Sequence, residues 1–83
     1  MAPDSARNET TRQFGERVRA RRDRLGLTQE RLAERAGMHW SNVGHIERGR
    51  RNLSMENILR LAAALECTPG DLLNGLPVPE AAP

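Results

Sequence analysis

No lysine and no tyrosine occur in these 83 residues, and cysteine, phenylalanine and tryptophan occur once each. A single cysteine excludes an internal disulfide framework, so a chain this short has to draw its stability from helix packing or from pairing with another copy. Cys67 itself, just beyond an Ala-Leu run, reads as a small, partly buried hydrophobe rather than as a reactive or ligating thiol. Long apolar runs are missing as well. The opening MAPDSARNETT has none, and the stretch from Leu61 to Leu65 is far shorter than the roughly 20 residues that cross a bilayer. A cytoplasmic location is expected, with no membrane contact. With three valines, two isoleucines and no period-two alternation, nothing reads as a strand, and the expected fold class is all-α.

What is present is arginine. All 13 basic residues are Arg, and the formal net charge of +2 hides an uneven distribution. Between Arg17 and Arg51 ten arginines stand against four acids, a local excess of +6, whereas the first sixteen residues sum to −1 and those from Asn52 onward to −3. Clustered cations suit a polyanion whose phosphates they neutralise with release of counterions; a solvated helix face looks the same on charge alone. Arginine in particular favours bidentate contacts to phosphate.

Five helices are expected in a domain over residues 10–76, between flexible tails at 1–9 and 77–83. The first opens near Thr10, whose spacing to Gln13 fits a capping box, runs an inward stripe through Phe14, Val18 and Leu25, and ends at Gly26. Thr28 caps a second of barely two turns, with Glu30 in its first turn, Leu32, Ala33 and Ala36 inward, and Gly37 as its terminator. A third follows Met38 and runs to about Arg48, with Gly49 closing it and Arg50-Arg51-Asn52-Leu53 as a polar loop. Ser54 caps a fourth, whose Ile58, Leu61 and Leu65 supply much of the core. Thr68-Pro69-Gly70-Asp71 reads as the N-cap, first-turn proline and acidic third position of a short fifth helix ending near Asn74-Gly75.

The second and third helices are joined by a short glycine-containing turn, the outline of a helix-turn-helix whose second member enters the major groove of DNA. At about 100° per residue the third helix places Trp40, Ser41, Gly44, His45 and Arg48 on one side and Val43, Ile46 and Glu47 on the other. The outer side can hydrogen-bond, and the inner side is apolar apart from Glu47. A buried carboxylate is costly unless paired, and Arg22 on the first helix is the expected partner. Gly44 costs the helix about 1 kcal/mol relative to Ala, which a close approach of the helix backbone to DNA explains.

The ordered matches are Gly15-x-Arg17-Val18-Arg19, Arg22, Gly26-Leu27-Thr28-Gln29-Glu30-x-Leu32-Ala33, Ala36-Gly37-Met38 and Val43-x-x-Ile46-Glu47-Arg48-Gly49. Arg51-Asn52-x-Ser54, the Leu-Ala-x-Ala-Leu segment ending at Leu65, and Pro69-x-Asp71-Leu72-Leu73 follow. Over residues 13 to 75 the chain thereby resembles the lambda-repressor-like family, also called Xre/Cro helix-turn-helix proteins. The resemblance implies a five-helix domain in which Thr28 and Gln29 hold phosphates. It further implies that Trp40, Ser41 and His45 face base edges, that Asn42, Arg48 and the loop Arg50, Arg51 and Asn52 lie near the DNA backbone, and that an Arg22–Glu47 pair ties the first helix to the recognition helix. Relatives of stand-alone length with an Ile-Glu-Arg-Gly-x-Arg-Asn stretch include autoregulatory repressors and the controllers of restriction-modification systems, which sets the implied biological role. Elementary chemistry agrees, since side-chain amides and backbone N–H groups at a helix N-terminus suit phosphate oxygens.

Three residues depart from the family pattern. His39 stands where Ser, Thr or Asp is preferred as N-cap, leaving Ser41 as a competing cap. Trp40 stands where a polar base reader is common; with one donor it offers apolar contact to a thymine methyl or a sugar, or else a protein contact. Gly44 is the third, for the reason above. His45 can donate to guanine acceptors, and if it titrates in the groove, binding strengthens as pH falls.

No metal site is expected from His39, His45 and Cys67, no cofactor is expected, and no nucleophile, base and orienter come together, so no enzyme is expected. The expected partners are double-stranded DNA and a second copy of the chain. Pairing is expected through Leu72, Leu73, Leu76 and Val78, more apolar groups than one short helix can bury, with the fourth helix contributing. Such a homodimer would regulate transcription from a pseudo-palindromic operator, its recognition helices entering successive major grooves. The rival reading is an antitoxin-like interaction module that contacts a protein through Trp40 and the tails and binds DNA mainly for autoregulation.

Overall fold

A computed structural model of the chain describes residues 6–81, and these residues form α-helices and no strand. The order is α1 (Glu9–Arg24), α2 (Gln29–Ala36), α3 (Trp40–Glu47), α4 (Met55–Ala64) and α5 (Pro69–Leu73), so the all-α expectation holds for what is described. None of these helices is long and apolar enough to cross a membrane.

The first helix starts earlier than Thr10. Asn8 is its N-cap: the Asn8 side-chain oxygen accepts from the Thr11 backbone N–H at 2.8 Å, and the Thr11 hydroxyl oxygen accepts from the Asn8 N–H at 3.3 Å. Gln13, the expected partner of Thr10, instead donates to Glu9 at 2.9 Å. Glu9 also takes two bonds from Arg12, whose contacts, with that of Gln13, lower its carboxyl to about 2. The other caps follow the sequence expectation, with Thr28, Ser54 and Thr68 each accepting from the backbone N–H three residues on. Asp71 closes a second box on Thr68, and the Thr68 N–H holds its carboxyl below the usual aspartate range. Gly37 ends α2 in the left-handed region at φ 69°, where a Cβ is unfavourable.

The core is built from one stripe of each helix. Val18, Leu32, Val43, Leu61, Leu65 and Leu72 are the largest fully enclosed side chains, joined by Phe14, Ile46 and alanines of α2 and α4. Within this arrangement α3 rests on both α1 and α2, α4 rests on α2, and α5 bridges α4 and α1. Gly15 is what lets α1 approach α3. A Cβ at that position would run into the Ile46 carbonyl oxygen and lie 2.6 Å from the Glu47 carbonyl oxygen.

Several arginines of the basic stretch serve the fold. Arg17 donates to the Leu72 and Asn74 carbonyls at 3.2 and 2.6 Å, closing the C-terminal end of α5. Arg35 does the same for α4, donating to the Ala64 carbonyl at 3.3 Å and pairing with Glu66. Cations at helix C-termini also complement the helix dipole. The local charge excess is therefore not one surface patch.

Of the expected tails, residues 1–5 and 82–83 lie outside the described residues. The Arg7 N–H donates to the Gly49 carbonyl at 2.9 Å, and the Thr10 hydroxyl donates to the Pro77 carbonyl at 2.6 Å. Ala6 lies so close to Gly49 that a Cβ on that glycine would approach its methyl to 2.7 Å; with φ at 74°, only glycine serves there.

Candidate nucleic-acid interface

The third helix is held from beneath by its one buried carboxylate. Glu47 is 8% exposed, and it accepts from Arg22 Nε at 2.5 Å, Arg22 Nη2 at 3.0 Å and Gln29 Nε2 at 3.0 Å. The fork of Arg22 meets both carboxylate oxygens, the bidentate geometry that makes such pairs strong. A third contact, from Arg22 to the Leu27 carbonyl at 2.8 Å, ties the same guanidinium to the turn before α2. One carboxylate thus fixes α3 to α1 and to the start of α2.

The opposite side of α3 is open. Trp40 is 56% exposed, Ser41 and His45 are half-buried, and Arg48 is exposed. Gly44, expected on this outer side, is buried instead, covered by the Arg48 guanidinium 3.4 Å and the Gln29 Oε1 3.6 Å from where a Cβ would stand. These are the flexible ends of side chains, so the protein itself leaves room for a methyl group at Gly44.

Residues 13–76 match the family model of the helix-turn-helix domain. The chain belongs to the helix-turn-helix family. Control protein C.BamHI of Bacillus amyloliquefaciens is 40% identical over 62 residues, 74% of this chain and 76% of that protein. The restriction-modification controller protein C.AhdI from Aeromonas hydrophila is 48% identical with a TM-score of 0.74, over 76% of this chain and 96% of that one. The P22 c2 repressor, solved in complex with a synthetic operator, is 39% identical with a TM-score of 0.70, over 75% of this chain and 94% of that one. The lambda-repressor-like resemblance stands, and the family is one of transcription regulators, not an enzyme class.

In this helix-turn-helix protein the groups singled out from sequence fall into two sets. Thr28, Gln29, Trp40, Ser41, Asn42, Gly44, His45, Glu47 and Arg48 belong to the α2–α3 unit and its caps. The Thr28 hydroxyl oxygen accepts from the Arg31 N–H at 3.0 Å, so its own hydrogen stays available. Gln29, expected on a phosphate, uses one amide hydrogen on Glu47 and keeps the second. The remaining set lies beyond the end of α3. Arg50 reaches back to His45 Nδ1 at 3.3 Å, and Arg51 and Asn52 are exposed beside Leu53. A guanidinium can only donate, so His45 Nδ1 accepts and its Nε2 carries the hydrogen. Asn42 lines a shallow recess with Met38, Ile46, Arg51 and Asn57.

Two expectations need correction. Leu72 cannot serve a dimer surface, because it is fully enclosed in the core of its own chain; a helix as short as α5 gives too little periodicity to assign its inward face from sequence. Ser41 is not the competing cap. His39 caps α3, its Nδ1 accepting from the Ser41 N–H at 3.2 Å, a role sequence reasoning left open because histidine is rarely counted among capping residues.

Proposed function

We propose that this chain is a sequence-specific, double-stranded-DNA-binding transcriptional regulator that works in the cytoplasm as a homodimer on a pseudo-palindromic operator. The observation that carries this reading is the two-faced α3: Glu47 anchors its inner side to Arg22 and Gln29, and its outer side offers Trp40, Ser41, His45 and Arg48 to a groove. In this reading Trp40, Ser41 and His45 meet base edges. Thr28, Gln29, Asn42, Arg48, Arg50, Arg51 and Asn52 meet the backbone. A second copy docks on exposed apolar side chains of the C-terminal half. Met55 and Leu59, one turn apart on α4, are 75% and 48% exposed, Leu73 is 39% exposed, and Val78 is 92% exposed, with Leu76 half-buried beside them in sequence. Exposed apolar groups of this number suit a homodimer interface.

Selection of binding sites from random duplex DNA, at fixed near-physiological salt, tests the reading. Enrichment of a two-fold symmetric motif is expected, and folded protein that enriches nothing overturns it. Arg51→Ala should weaken binding to all sequences and reduce the salt slope by about 1, as loss of one phosphate contact does; a change confined to one base position would move Arg51 to base reading.

Gly44→Ala separates fold from binding. The helix gains about 1 kcal/mol by propensity, and the methyl meets nothing closer than the Arg48 and Gln29 ends. Thermal unfolding should shift upward while operator affinity falls. Undiminished affinity would remove the case for close DNA approach at this glycine.

A further inference from the structure

We propose that His39 determines which bases Ser41 accepts, by fixing the direction of the Ser41 hydroxyl hydrogen. The proposal rests on the reading above that Ser41 faces base edges. Its chemistry begins at one nitrogen. The Ser41 backbone N–H points at His39 Nδ1 from 3.2 Å, and the Ser41 hydroxyl oxygen lies 2.8 Å from the same atom. A backbone N–H can only donate. Nδ1 is therefore the lone-pair nitrogen, and the neutral ring carries its hydrogen on Nε2. Nδ1 has no hydrogen to give the hydroxyl, so the contact at 2.8 Å has to be O–H donating to Nδ1. The single hydroxyl hydrogen of Ser41 is committed inside the protein, and its oxygen presents lone pairs only.

A free serine hydroxyl serves either as donor or as acceptor and discriminates poorly. An acceptor-only oxygen selects. In the major groove the donors are adenine N6 and cytosine N4, whereas guanine O6 and N7 and thymine O4 only accept. Ser41 in this setting favours adenine or cytosine on the strand it touches and disfavours guanine and thymine. Trp40 steadies the device, its ring lying against that of His39 with centroids 5.6 Å apart and planes at 31°. Reading guanine or thymine would require the hydroxyl to turn away and forfeit one hydrogen bond, a preference of roughly 2- to 10-fold per half-site. His39 is thus a positioning residue, and the histidine at the cap matters for specificity as well as for the helix.

Site selection and titration of single-base operator variants would be run on wild type, Ser41→Ala, His39→Ala and His39→Asn, each confirmed as folded by circular dichroism. Ser41→Ala identifies the base position that Ser41 reads. There the wild type should prefer adenine or cytosine, His39→Ala should lose the preference while every other position stays selected, and His39→Asn, whose side-chain oxygen can stand where Nδ1 stood, should restore it. A cap with a structural role alone would lower affinity for all sequences alike. Nitrogen NMR of the imidazole gives a readout free of DNA: Nδ1 should be bare and Nε2 protonated. A wild-type preference for guanine or thymine, a His39→Ala motif identical to that of the wild type, or the opposite tautomer overturns the proposal while DNA reading by α3 stands. Failure of folded wild type to enrich any motif overturns that reading and this proposal with it.

Discussion

Gly15→Ala should lower the thermal midpoint by roughly 10–20 °C, the shift that a net loss of about 2–3 kcal/mol produces in a domain of this size. The substitution gains about 1 kcal/mol of helix propensity, so a local reading predicts a stabilised protein. The opposite is expected because the new methyl group would collide with the backbone of α3, at the Ile46 and Glu47 carbonyls, and backbone atoms cannot swing aside as a side-chain end can. The two helices have to part, and the core side chains Phe14, Val18 and Ile46 part with them. Circular dichroism melts of Gly15→Ala and Gly44→Ala make a matched pair, the same change on two touching helices with opposite expected signs. An unchanged midpoint for Gly15→Ala would mean that the crossing of α1 and α3 is not set by this contact.

Arg22→Met should be at least as damaging, at about 3–5 kcal/mol, because it leaves a carboxylate buried without its main partner. The Glu47 side chain is 3% exposed and that of Arg22 12%, so water can replace little of what is lost. The double variant Arg22→Met with Glu47→Leu removes both charges and should recover most of the stability, since well-packed apolar replacements of a buried pair are often neutral. It should not recover DNA binding. Gln29 would lose the carboxylate that orients its amide, and α3 would lose its anchor to α1. Denaturant unfolding of the four proteins in the cycle gives the coupling energy directly, and a single-variant loss below about 1 kcal/mol would show that packing alone holds α3 in place.

Much of this was legible in the sequence because the signals are local. Thr28, Ser54 and Thr68 announce their helices by side chains that bond three residues on, and Gly37 ends α2 by a backbone conformation that few other residues adopt. The Arg22–Glu47 pair was legible for a different reason: the third helix buries that carboxylate, and a buried charge demands a partner. Asn8 was missed because two overlapping four-residue capping patterns, Asn8 to Thr11 and Thr10 to Gln13, compete there, and Thr11 is an unusual closing residue for a capping box. Gly15 carries no local signal at all, since the reason for it lies on another helix. Nor does sequence distinguish Arg17 and Arg35, which bond helix-end carbonyls, from the arginines that stay in solvent. The dimer assignment of Leu72 failed on the same ground, as five helical residues do not reveal which side faces in.

The bridge from Arg17 to the Leu72 and Asn74 carbonyls has a consequence for how the chain is made. Leu72, supplied by the last helix, is among the six largest fully enclosed side chains, so the interior is incomplete until nearly all of the domain has left the ribosome. Within the domain α1 is made before the other described helices and waits longest with Phe14 and Val18 uncovered. Its own box at Asn8 and the Glu9–Arg12–Glu16 ion pairs, spaced three and four residues apart, are local supports that need no later part of the chain. Of the five described helices, the one made first therefore carries its own local support.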